Sequence, residues 1–253
     1  MISQVSIVTL LMALAFAGTH IFIGRLDFLD RTPRNGWLSF AGGTAVAYVF
    51  LHILPELGGH RTAFAEAISV GPELAETLVN SLALLGLSSF YAVERAIKIS
   101  RGRSRQMGEG DRIESHMLWL HIGSFSLLNV MISYLLSHRE DMSPGGLALY
   151  FIAMALHFAT ADFGMRRDHV KAYDAYGRWI IAGAVMLGWM MGMLIELPGI
   201  AVGGLFAFVA GGVVLNVMKE ELPEDRQSRF WPFAAGAIIY SALVIGETML
   251  VTG

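Results

Sequence analysis

Phe40-Ala41-Gly42-Gly43, leading through an uncharged stretch to His52-Ile53-Leu54-Pro55-Glu56, has a second copy further along the chain. There Phe208 and Ala210-Gly211-Gly212 lead to Leu222-Pro223-Glu224. Each copy is long enough to cross a bilayer, since roughly 20 apolar residues span the hydrocarbon core. From the Ala-Gly-Gly triplet to the Leu-Pro-Glu triplet the spacing differs by one residue between the copies. Gly-Gly and Leu-Pro are common near helix ends, so the repeat gains its meaning from what surrounds it.

Composition places the chain in lipid. Hydrophobic residues make up 55% of 253 and charged residues only 15%, with a mean hydropathy of +0.56. A soluble domain carries about a quarter charged residues. The net charge of -3 hides a segregated pattern with no basic stripe, which argues against a nucleic-acid partner. With no cysteine there is no disulfide and no thiolate metal site. Uncharged windows near 3–23, 37–55, 77–93, 117–137, 145–161, 179–195, 199–218 and 231–246 predict eight transmembrane helices. The expectation is an all-α integral membrane protein forming one domain over 1–253. The first window lacks a basic start and reads as a retained helix rather than a signal peptide.

Lys and Arg set the expected orientation. Sixteen of the eighteen lie in or beside the loops that follow helices 1, 3, 5 and 7, leaving Arg61 and Arg139 on the opposite side. The positive-inside rule then predicts both termini outside and those four loops in the cytoplasm. Trp37, Trp119, Trp179 and Trp231 fall at the expected cytoplasmic starts of helices, where indoles anchor in the interface. The stretch 98–114 is expected to be a mobile basic cytoplasmic loop, a solvated linker first and a contact with anionic headgroups of the lipid bilayer second. Gly188 with Gly192 and Gly199 with Gly203 have helix-packing spacing, for internal packing first and a homodimer contact second. In this topology the two copies of the opening phrase cross in opposite directions. An inverted repeat of that kind is a construction of secondary transporters, whose halves rock about a site between them.

These residues resemble the Zrt/Irt-like (ZIP) metal transporter family over nearly the whole chain. The segment from Phe40 to Glu56 resembles the family's second helix and that from Ala210 to Glu224 its seventh. Val93-Glu94-Arg95 resembles the close of its third. The resemblance implies a 3+2+3 arrangement with inverted repeats, helices 1–3 and 6–8, around helices 4 and 5. It also implies transport of a divalent metal cation, zinc being the expected ion, through ligands on helices 4 and 5. The expected location is the inner (plasma) membrane of a bacterium.

At the implied site the chain departs from the family. Family members carry a His with polar and acidic residues at the next position and four later, on both helices. Here the two motifs read His121-Ile122-Gly123-Ser124-Phe125 and His157-Phe158-Ala159-Thr160-Ala161-Asp162. Both His are present, but Phe125 and Ala161 replace the expected acids and Thr160 the expected Pro. Asp162 stands about 140° round the helix from His157, at 100° per residue. His121, His157 and Asp162 are the candidate metal ligands, and ionisable groups at membrane depth are functional candidates by default. His121 and His157 are expected at similar depth, about 9 and 12 Å from the cytoplasmic helix ends, facing each other. Ser124, Asn129, Thr160, His52 and Glu56 are weaker pathway candidates. Met154 and Met165 would favour a softer ion. His20 is expected to snorkel or cap, and Glu220, Glu221, Glu224 and Asp225 to form a solvated loop.

The leading expectation is a transporter, not an enzyme, working by alternating access. The alternative is a ZIP-fold membrane protein that has lost transport and acts as a sensor or assembly partner, which the missing acids favour. A zinc hydrolase would need three protein ligands and an activated water. A retinal photoreceptor would need a mid-helix lysine, and Lys98, Lys171 and Lys219 are near predicted helix ends.

Overall fold

The computed structural model describes residues 4–25, 36–108, 114–139, 141–168, 170–221 and 229–252. Eight helices in it are long and apolar enough to cross a membrane. They are α1 (Gln4–Arg25), α2 (Gly36–Ile68), α3 (Pro72–Gln106), α4 (Ser115–Leu135), α5 (Pro144–Arg167), α6 (Val170–Leu194), α7 (Gly199–Lys219) and α8 (Phe230–Leu250). Among the described residues there is no strand. Three helices run well past their apolar windows. An uncharged window measures lipid contact, whereas Lys, Arg and Glu continue a helix readily once it leaves the hydrocarbon. Thus α3, 35 residues and about 52 Å long, carries the stretch from Lys98 to Gln106 as helix rather than loop. Residues 109–113 and 222–228, with the second Leu-Pro-Glu triplet, lie outside the described residues.

Pro55 sits inside α2, where it cannot donate to the carbonyl of residue 51. The helix answers with a wide π-helical segment at Val49–Ile53, closed by Leu54 N–H donating to the Val49 carbonyl. A second π segment, Tyr173–Gly177, lies early in α6. After Ile68 the chain reverses through Ser69 in the left-handed region (φ 54°) to Gly71 and Pro72.

Packing is organised by close backbone contacts. The most extensive pairings are α3 with α7, α2 with α8 and α4 with α6, with α1 joining α6. A methyl at Gly43 in α2 would strike the Phe233 carbonyl of α8, and one at Gly236 in α8 would strike the Phe40 carbonyl of α2. The other seam repeats this residue for residue. Gly211 in α7 abuts the Ala83 carbonyl of α3, and Gly86 in α3 abuts the Phe208 carbonyl of α7. The contacts therefore set Phe40 and Gly43 against Phe208 and Gly211. Aligning the triplets would instead match Gly42 and Gly43 with Gly211 and Gly212. In the register of the contacts, Phe40 to Leu54 and Phe208 to Leu222 are equally long, so the one-residue mismatch belongs to the triplet alone.

Coverage follows the same pairing for two of the three helix pairs: 11% of the apolar stretch is buried in both α3 and α8, and 39% in both α1 and α6, while α2 is covered to 61% and α7 to 44%. Helices α4 and α5 are more deeply covered, at 56% and 61%. Gly188 and Gly192 of α6 press on the Val130 and Tyr134 carbonyls of α4, and Gly203 touches Phe64 and His60. These glycines serve internal packing, while Gly199 has nothing close by. All four Trp expected at the interface are exposed on the bundle surface.

Gly86→Ala and Gly236→Ala should each lower stability by about 1–3 kcal/mol, because the neighbour is backbone and cannot turn aside. Gly18→Ala and Gly183→Ala, with open space around them, should be neutral or stabilising by up to about 1 kcal/mol. Thermal unfolding in detergent reads the difference.

Candidate functional site

Two small cavities lie in tandem along α4, α5 and α7. The first, about 40 Å³, is walled by residues that include Tyr48, Glu56, His60, Ile132, Arg139, Met154 and Val213. The second, about 30 Å³, includes Glu94, His121, Ser124, Phe125, Ala161, Met165, Gly212, Asn216 and Lys219 in its walls. On α4, Leu128 borders the second and Ile132 the first, so roughly one helical turn separates them there. Each volume suits a bare ion or a water or two. The second lies toward the end of the bundle rich in Lys and Arg, where Arg166 makes a two-pronged bond to Asp174 (2.8 and 3.1 Å).

In the second cavity His121 Nε2 lies 3.5 Å from Glu94 Oε1, and Lys219 Nζ donates to the same oxygen at 2.5 Å. Three helices, α3, α4 and α7, thus each supply one member. The Lys219 ammonium offsets the charge of a carboxylate that is only 20% exposed. Phe125 and Ala161, at the positions of the family's acids, line the same space. Ser124 and Thr160 each donate their hydroxyl to a carbonyl of their own helix, those of His121 (3.0 Å) and His157 (2.9 Å). Asn129 is fully buried, and its amide donates to the Phe125 carbonyl at 2.9 Å.

Asp162 belongs to another pair. Its Oδ2 lies 2.6 Å from His20 Nδ1, and both side chains are fully buried. The expectation that His20 snorkels or caps is corrected here. Helix α1 packs on α5 and α6, so its last turns are covered and the imidazole needs an internal partner. Tyr173, in the π segment of α6, donates its hydroxyl to the His20 carbonyl at 3.1 Å. His157 is buried on this side of α5. Its ring is 5.8 Å from that of Phe158, which is 4.9 Å from that of His20. His121 therefore lies with Glu94 and Lys219, whereas His157 and Asp162 both lie near His20. Among the described residues no three His, Asp or Glu side chains gather closely enough to hold a metal ion.

At the first cavity, the weaker candidates His52 and Glu56 fall in and beside a belt of aromatics. Tyr48 stacks on His52 at 5.3 Å, and the Tyr240 hydroxyl lies 3.4 Å from His52 Nδ1. The Arg139 guanidinium sits 4.1 Å above the Tyr150 ring, a cation–π contact directed inward from the α4–α5 connection.

Sequence reasoning missed Glu94, Lys219 and Arg139 as site residues because each borders an apolar window: Glu94 reads as the close of helix 3, and Lys219 and Arg139 as loop charges. One signal was available. Glu94 adjoins the apolar run of helix 3, and an acid there requires a partner from another helix if that helix is covered. No protein-family model matches the chain, and no curated protein matches it in sequence.

Replacing Asp162 with Leu leaves a buried imidazole with neither nitrogen bonded, since His20 Nε2 already has no partner among the described residues. We expect a loss of about 3 kcal/mol, largely restored by adding His20→Leu, in thermal unfolding of the purified protein.

Proposed function

We propose that the chain is a ZIP-like membrane transporter that moves a divalent metal cation by alternating access. The observation that carries this reading is the tandem pair of ion-sized cavities along α4, α5 and α7, each with a carboxylate and an imidazole in its wall. The two glycine seams support a 3+2+3 arrangement, with α1–α3 and α6–α8 as inverted copies around α4 and α5. In this arrangement the cation enters past Glu56 and His60, crosses the turn between the cavities when the halves rock, and leaves past His121 and Glu94. The basic end faces the cytoplasm and both termini face outward, as the positive-inside rule requires. The size of the cavities favours an ion over an organic solute.

A second reading has one observation in its favour. The ammonium of Lys219 already neutralises Glu94, and no three-residue metal set occurs among the described residues. A ZIP-fold protein that has lost flux would act as a metal sensor or an assembly partner.

Proteoliposomes separate the two. We expect uptake of zinc or manganese above protein-free vesicles, reduced at least about tenfold by Glu94→Gln, as removal of a charged ligand predicts. Metal binding without uptake would establish the sensor reading, and neither binding nor uptake would overturn both. Single cysteines placed in this cysteine-free chain test the topology. Position 102 should label only from the cytoplasmic side and position 141 only from the outer side.

A further inference from the structure

The Glu94–His121–Lys219 cluster has the geometry of a metal site with a cation built in. Zinc holds imidazole nitrogen and carboxylate oxygen at about 2.0–2.2 Å in a tetrahedron, which places two such donors about 3.4 Å apart. Glu94 Oε1 and His121 Nε2 stand 3.5 Å apart. A well-formed hydrogen bond from an imidazole N–H to a carboxylate would close that gap to about 2.8 Å. The positive charge beside them is the Lys219 ammonium, 2.5 Å from the same oxygen. The cavity they border, about 30 Å³, accommodates an ion and a water. Asn216 faces the cavity, and its amide nitrogen is buried with no hydrogen-bond partner among the described residues. Turned over, the same amide offers its oxygen, since the two orientations differ only in which atom points inward.

We propose that Glu94 and His121, joined by the Asn216 amide oxygen and water, form a divalent-cation site for which Lys219 is the tethered stand-in. An arriving ion displaces the ammonium. With both cations present, the single carboxylate would face three positive charges in a partly buried space, an arrangement that low dielectric penalises. Lys219 has somewhere to go, because it lies in the last turn of α7 and its four-carbon stem reaches the interface. Loss of the ion returns it to Glu94. This explains how a site can lack the family's acids at the positions of Phe125 and Ala161 and still keep its carboxylate in place when no metal is bound. An imidazole, one carboxylate and an amide oxygen suit zinc or cobalt(II) better than calcium or copper(I). The proposal rests on the transport reading for the ion's route, though not for its binding.

Cobalt(II) is the probe, with full-length protein in detergent and its visible absorption as readout. Lys219→Met, similar in length but uncharged, should tighten cobalt binding by about tenfold or more, as removal of a competing charge predicts. Lys219→Arg should leave binding near wild type, and Glu94→Gln and His121→Ala should each abolish it. A folded Lys219→Met protein that binds cobalt no more tightly than wild type overturns the proposal. A second measurement needs no variant. With only three lysines in the chain, amine acylation read by peptide mass spectrometry reports Lys219 directly. Saturating zinc should raise its modification rate several-fold, and an unchanged rate overturns the displacement. Flux measurements keep the two readings distinct. Zinc uptake untouched by Glu94→Gln would refute this site and leave transport standing. Cobalt binding as described with no uptake would keep the site and refute transport.

Discussion

In a bilayer, apolar side chains gain little by leaving lipid for one another, so helices hold together through close approach and the dispersion contacts it allows. That constraint falls on six glycines here, of which Gly188 and Gly192 bring α6 onto α4. Gly43 and Gly236 bring α2 and α8 together, and Gly86 and Gly211 do the same for α3 and α7, each against a backbone carbonyl. Thr44 adds a hydroxyl that reaches the Phe40 carbonyl at 3.2 Å and the Gly236 carbonyl at 3.4 Å. These two seams help to place the central helices. They hold α2 and α7 against α4 and α5 and leave α3 and α8 largely open to lipid. The cavities are the space that remains where the central helices do not fill the gap between the seams.

The ionisable groups follow a second rule, imposed by the cost of burying charge. Two carboxylates are met by partners from other helices: Glu94 by Lys219 and His121, and Asp162 by His20. Such pairs lock helix register as well as neutralising charge. They also give the two cavities a common composition, with a carboxylate, an imidazole and a basic side chain in each wall. In the first cavity the base is Arg139, lying over Tyr150, and in the second it is Lys219. A cation passing along this line would meet a resident positive charge at both stages, so its passage would depend on those side chains moving.

Much of the fold was legible in the chain itself. Eight spans follow from uncharged windows, because the thickness of the hydrocarbon core sets a minimum apolar length that no partner can alter. The repeated phrase pointed to the seams, since glycine at those positions is a local necessity wherever two backbones meet. The site was less legible. His121 was found, but its partners lie 27 residues before it and 98 after it in the chain. Glu94 reads as a helix close and Lys219 as a loop charge because the sequence shows where the apolar stretch ends, not how far the helix continues or which neighbour leans over it. His20 and Asp162 are separated by 142 positions, and nothing local distinguishes a histidine that reaches the interface from one that α5 and α6 enclose. Hydrophobicity and backbone demands are properties of a segment and can be read in sequence. The pairing of buried charges depends on which helices meet and at what rotation, and only the tertiary structure decides that.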